Sequence, residues 1–178
     1  LTYNLNSNKY NWDYKTNNQK FINNRSISTP RGKMLGGSSS LNAMVYMRGH
    51  PLDYDRWALE GAKGWSFKDC LPYFKKSENF ELGQDDYRGT GGNLNVCRAE
   101  KRETLDQELS KAFIEAGVEA GYQFTEDMNG YRQEGFGYMD MTIKDGERNS
   151  AYHAYLKPVL NRKNLKLITD VNVFKINL

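Results

Sequence analysis

Paired glycines followed at once by three serines, Gly36-Gly-Ser-Ser-Ser40, are the part of this chain best equipped for chemistry. Glycine lacks the Cβ that would keep a flat molecule off the backbone, and the hydroxyls add hydrogen-bond donors and acceptors. An apolar run, Ala43-Met-Val-Tyr-Met47, follows after only Leu41 and Asn42, which argues against a flexible linker. A phosphate loop also fails. Gly32 and Gly37 have its spacing, but Ser38 stands where the phosphate-binding lysine must be. No G-x-G-x-x-G motif is present, since Gly135-Phe-Gly137 lacks the third glycine. What remains is close backbone approach to a large flat ligand, with the Asn42 amide and serine hydroxyls as polar contacts. A flavin asks for that combination: its ring lies against backbone, and its reduced form needs donors held beside N1 and the C2 carbonyl.

Other chemistry is thinly represented. His50 and His153 are the only histidines, and Cys70 and Cys97 the only cysteines, with no CxxC pair. A zinc site needs more ligands than these, so no metal is expected. The thiols read as free, which favours a reducing compartment. Neither histidine reads as a catalytic base, and no catalytic residue is expected within the chain. Ser39 and Ser40 read as structural hydrogen-bonders. Tyr131, Phe136 and Tyr138 could enclose a quaternary ammonium through their ring faces, although ordinary core packing is the commoner role. Met44, Met47, Met139 and Met141 read as core fillers.

The elements that must position the loop follow from punctuation and periodicity. Residues 1–29 predict loop and short extended pieces. Leu52 to Leu59 reads as helix, stopped at Gly61. A second helix runs through Cys70, Leu71 and Phe74. Ser66 or Asp69 could cap it, and Pro72 favours the later start, which puts the proline in the first turn. The strongest helix is 105–120: Thr104 and Gln107 form a capping box, and Leu105, Leu109, Ala112, Phe113 and Ala116 share one face. Phe136, Tyr138, Met139, Met141 and Ile143 predict strand ahead of an Asp145-Gly146 turn. Ser150 caps a short helix that should stop before Pro158. Leu165–Ile168 and Val171 onward are strand material. Mixed elements in irregular order indicate an α/β (α+β) architecture.

Composition narrows the partners. A net charge of +3 over 178 residues, with Lys and Arg mostly scattered singly, gives no phosphate-binding stripe, and no nucleic-acid partner is expected. A hydrophobic share of 38% with charges of alternating sign is polar but foldable. The start at Leu1 and the stop inside Val171–Leu178 read as cuts through a longer protein. An unpaired strand at such a cut would make the isolated chain a poor folder.

Pro30-Arg-Gly-Lys-Met-Leu-Gly-Gly-Ser-Ser-Ser-Leu-Asn-Ala-Met-Val-Tyr-Met-Arg-Gly49, followed by Asp53-Tyr-Asp-Arg-Trp57, resembles the first signature of the glucose–methanol–choline (GMC) oxidoreductase family. Tyr10–Tyr14, Gly64-Trp65, Leu71–Glu78, Tyr155–Pro158 and Asn164-Leu165 continue the likeness. The stretch Phe124–Thr142 is similar to the family's choline-oxidising members. The resemblance covers essentially the whole chain, as a middle part of a family member. It implies a fragment of an FAD-binding Rossmann-like domain (1–97), an excursion into the substrate-binding domain (98–147) and a return to the FAD domain (148–178). It implies that Gly36, Gly37 and Ser38 line the flavin and its phosphate linker, that Asn42, Ala43 and Val45 lie beside the ring, and that the Val173 backbone meets the adenine. Leu41 stands where some choline-oxidising relatives carry a histidine bonded to the flavin, so the FAD is expected to be non-covalent.

The activity implied is oxidation of a primary alcohol, choline first, by hydride transfer to flavin, with a histidine outside this chain as base. The electrons would go to a membrane quinone or another acceptor rather than necessarily to oxygen; the resemblance implies the mitochondrial inner membrane, and otherwise an intracellular location. The alternatives are a relative acting on a sugar or aryl alcohol, or a truncated, non-catalytic binding protein.

Overall fold

The computed structural model describes residues 8–98 and 106–177. The short extended pieces expected before residue 30 are present, and they pair: β1 (Tyr14–Lys15) and β2 (Ser28–Thr29) form a small antiparallel ribbon. After the glycine–serine segment comes β3 (Val45–Tyr46), then α1 (Pro51–Leu59) and α2 (Phe67–Ser77). β4 (Glu78–Phe80) and β5 (Leu94–Arg98) follow, then α3 (Asp106–Glu119) and β6 (Asp140–Met141). The Asp145-Gly146 turn closes a hairpin of β7 (Ile143–Lys144) and β8 (Glu147–Arg148). β3, β6, β5 and β4 lie in that order in one sheet, antiparallel except for the parallel pair β4–β5. The mixed α/β class read from the sequence is the one observed.

Helix α1 starts where His50 caps it. Its Nδ1 accepts from Leu52 N at 3.2 Å, its own N–H donates to Asp53 Oδ2 at 3.1 Å, and Pro51 occupies the first turn. Helix α2 corrects an expectation. Ser66 is the cap, accepting from Asp69 N at 3.3 Å and donating to Asp69 Oδ2 at 2.6 Å, so Pro72 falls inside the helix. The reciprocal cap outweighs the loss of one interior hydrogen bond. Tyr54 knits the two helices together, with ring centroids 5.6 Å from Phe74 and 5.3 Å from Trp57.

The centre of the fold holds charge where methionine was expected. Met47 and Met139 are 52% and 50% exposed, while Glu78 and Arg88 are fully buried. Glu78 Oε1 accepts from Arg48 Nη2 at 2.5 Å and Gly89 N at 2.7 Å. Arg88 Nη1 donates to Asp127 Oδ1 at 2.8 Å and Asp140 Oδ2 at 2.7 Å, with its guanidinium 3.6 Å above the Phe80 ring centroid. Arg98 Nε completes the set on Asp140 Oδ1 at 3.1 Å. Three guanidiniums thus face three carboxylates, which is the condition for tolerating buried charge. Burial raises the Tyr46 phenol above its ordinary value against the opposing pull of Arg48.

Helix α3 forms close to the expected 105–120, and three other expectations fail. In α3 the inward residue is Gly117, packed on the Phe136 ring, while Leu109 and Phe113 are 59% and 64% exposed. The apolar face therefore has no cover among the described residues. The capping box at Thr104–Gln107 lies outside them. The helix after Ser150 does not stop before Pro158: a π-turn at Tyr152–Leu156 runs into a 3-10 turn at Lys157–Val159. The stretch 136–143 forms only β6 and the start of β7, with Phe136 bridged to Phe124. Leu165–Ile168 and 171–177 join no ladder among the described residues, because nothing there offers them a partner edge.

Candidate functional site

The glycine–serine segment folds as a tight turn with an open flank. Gly36 and Gly37 take φ of +85° and +55°, a region that side-chain-bearing residues avoid, and lead into a 3-10 turn at Gly37–Ser40. A Cβ on Gly37 would meet nothing within 4 Å, so this backbone is bare on its outer side. The inner side is crowded: a Cβ on Gly32 would run into the Gly37 carbonyl, so residue 32 must be glycine for the two strands of the loop to touch.

Each serine has a job within the loop. Ser38 Oγ accepts from Gly32 N at 3.2 Å, Ser39 Oγ donates to Gly36 O at 2.5 Å, and Ser40 Oγ donates to Leu35 O at 2.9 Å. Ser39 and Ser40 are structural, as read from the sequence. Asn11 braces the approach: its Oδ1 accepts from Arg31 N at 2.9 Å and Asp13 N at 3.1 Å.

Beyond the turn the chain runs along an exposed shelf. Leu41 is buried, whereas Asn42, Ala43 and Val45 are exposed. Between them Met44 has φ of +65°, a strained value for its side chain. Three bonds hold it there: Met44 N donates to Asn42 Oδ1 at 3.0 Å, and its carbonyl accepts from Thr142 N at 2.8 Å and Thr142 Oγ1 at 3.2 Å. Strain of that kind concentrates at functional positions.

The clamp that fixes the shelf was missed in the sequence. Arg148 Nη1 donates to Ser39 O at 3.0 Å, Asn42 O at 2.8 Å and Asn42 Oδ1 at 2.9 Å. Ala151 N donates to Ser39 Oγ at 2.9 Å. These contacts join residues more than a hundred positions apart. The Asp145-Gly146 turn placed Arg148 on a hairpin but gave no sign of where its side chain goes. Desolvation lowers the Arg148 guanidinium from its ordinary value.

The structure brings Gly36, Gly37, Ser38, Asn42, Ala43 and Val45 onto one continuous segment. Val173 is not joined to them; it is 78% exposed in the unpaired tail. His50 is occupied as the α1 cap, and His153 Nδ1 lies 3.0 Å from Ser150 Oγ. Among the described residues no group of His, Cys, Asp and Glu could hold a metal ion, and Cys70 and Cys97 form no disulfide. Phe136 packs against Tyr122 with centroids 5.5 Å apart, Tyr138 is half-buried, and Tyr131 is 87% exposed beside Tyr87. A bare positive-φ backbone, small residues and one amide nitrogen without a partner fit a flavin ring, and among the described residues they give a metal ion no ligand set.

Comparison with known proteins agrees with that geometry. The chain is 51% identical over 176 residues to the oxygen-dependent choline dehydrogenase of Vibrio vulnificus, covering 99% of this chain and 31% of that protein. It is 54% identical over 166 residues to the mitochondrial choline dehydrogenase of Mus musculus, covering 93% and 27%. It thus spans about a third of the length of these relatives. Among solved structures, pyridoxine 4-oxidase from Mesorbium loti superposes with a TM-score of 0.78 at 38% identity, over 88% of this chain and 31% of that one. An FAD-dependent oxidoreductase from Chaetomium thermophilum follows with 0.75 at 29%, over 87% and 28%. The GMC oxidoreductase family model matches residues 13–178, and the chain belongs to that family.

Proposed function

We propose that this chain is the flavin-cradling part of an FAD-dependent dehydrogenase that oxidises choline to betaine aldehyde. The observation that carries the reading is the shelf from Gly36 to Val45, bare on one side and clamped on the other, in a chain half-identical to choline dehydrogenases. Gly36, Gly37 and Ser38 would lie along the flavin and its phosphate linker, and Asn42, Ala43 and Val45 beside the ring. Val173 would meet the adenine once further chain packs on the tail. FAD, when bound, supplies the hydride acceptor.

The chain's own contribution is placement. The Asn42 amide nitrogen donates to no partner among the described residues and is free to hydrogen-bond the ring edge, while the apolar Ala43 and Val45 keep water from it. Among the described residues no group near the shelf serves as base, because His50 caps α1 and His153 faces Ser150, so in our reading the proton acceptor is a histidine outside this chain. Leu41 is buried and has no nucleophile, and the FAD is held without a covalent bond.

The domain reading rests on the family resemblance. Residues 1–97 and 148–178 are our reading of the FAD-binding domain and 98–147 of the substrate-binding domain, although β6 (Asp140–Met141), inside that middle segment, pairs with β3 and β5. The human and mouse relatives are named mitochondrial, and the same location, at the inner membrane, is our reading here. A quinone is our reading for the acceptor, although the bacterial relatives are named oxygen-dependent.

The test is anaerobic addition of choline, a sugar and an aryl alcohol to the full-length flavoprotein. Choline should bleach the oxidised flavin absorbance. Bleaching by another alcohol but not by choline would refute the substrate. Acid precipitation should release the flavin into the supernatant, and yellow colour left in the washed pellet would refute the non-covalent reading.

A further inference from the structure

We infer that Arg148 is a positioning residue for the cofactor: by holding the Asn42 amide oxygen it turns the amide nitrogen outward as a fixed donor to the flavin. The inference rests on the reading of Gly36–Val45 as the flavin shelf.

Asn42 Oδ1 receives two donors, Arg148 Nη1 at 2.9 Å and Met44 N at 3.0 Å. Both are N–H groups, so only the oxygen end of the amide can face them, and the nitrogen end must face away. Without Arg148 one donor would remain, and the amide could turn to offer an acceptor instead. The backbone of the loop does not depend on Arg148 in the same way. Ser38, Ser39 and Ser40 already tie it to Gly32, Gly36, Leu35 and Ala151. Arg148 is half-buried and has no carboxylate within ion-pair distance among the described residues, so its recorded partners are all oxygens of this loop. Its own element is anchored: the adjacent Asn149 side chain accepts from Asn95 N at 2.9 Å, and Asn149 N donates to Thr142 O at 2.9 Å.

The experiment strips FAD from the full-length protein and measures its rebinding by quenching of flavin fluorescence. Arg148→Met keeps the side-chain length and removes the donors, and should weaken FAD binding about tenfold. Arg148→Lys should recover most of that loss, because an ammonium offers three donors to the same oxygens. In an Asn42→Ala background the Met substitution should add little, since its effect runs through Asn42. Asn42→Asp keeps an oxygen for Arg148 but removes the outward donor, so it should lose affinity at least as strongly, whether or not Arg148→Met accumulates as folded protein. Binding unchanged in Arg148→Met, effects of the two sites that simply add, or full affinity in Asn42→Asp would each overturn the inference. If Gly37→Val and Asn42→Ala lose FAD while Arg148→Met keeps it, only this inference falls. If all of them keep it, the shelf reading falls with it.

Discussion

The middle of this molecule and its tail are built on opposite terms. Around Arg88 and Glu78 the most deeply buried side chains are ionic, and each finds its counter-charge within the chain. From Leu165 to Ile176 the apolar side chains stand bare, with Phe174 95% and Ile176 76% exposed. A charge cluster that closes on itself specifies one arrangement of β3, β4, β5 and β6, and needs nothing further. An apolar segment that joins no ladder among the described residues leaves its surface open to whatever covers it. The proposed cofactor shelf sits between these extremes: its inner side is tied by Arg148, Ser39 and Thr142, and its outer side is open.

The largest expected effect comes from opening the cluster. Arg88→Met would leave Glu78, Asp127 and Asp140 short of a buried counter-charge, at a cost of about 3–5 kcal/mol in the full-length protein. Denaturant unfolding measures it, and a change below about 1 kcal/mol would mean that the cluster relaxes freely or is wet. The tail should divide by context. Phe174→Ala is expected to cost about 3 kcal/mol in the full-length protein, where further chain covers it. In the 178-residue chain it should lower binding of an apolar dye and leave the far-UV circular dichroism unchanged. Equal behaviour in both would erase the contrast between self-contained and waiting regions. Gly117→Ala should have the smallest effect, about 1–3 kcal/mol, as the new methyl presses on the Phe136 ring. Its denaturation midpoint matching that of the parent would show that α3 can slide away.

Much of this was legible where the physics is local. The Gly36–Ser40 turn, the Asp145-Gly146 hairpin and the stop at Gly61 follow from backbone preferences that act within a few residues. The ion cluster was not legible, because Glu78 and Arg88 look like any surface charges until Asp127 and Asp140, some forty to fifty positions on, close around them. The same distance hid Arg148. Pro72 misled because a local penalty was weighed without the competing Ser66–Asp69 cap. The face of α3 was read as apolar, and where its cover lies was not legible, since amphipathicity states a need for cover and says nothing of its place.

The central claim is that the Gly36–Val45 backbone touches the flavin, and Gly37→Val in the full-length protein tests it most directly. Valine would fill the space left bare beside residue 37 and would be strained at φ of +55°. The readout is the ratio of flavin to protein absorbance after purification, with circular dichroism to show that the fold is kept. The expected result is loss of most of the bound flavin from a folded protein. A folded variant with the parent's flavin content would contradict the account and reduce Gly37 to a turn residue.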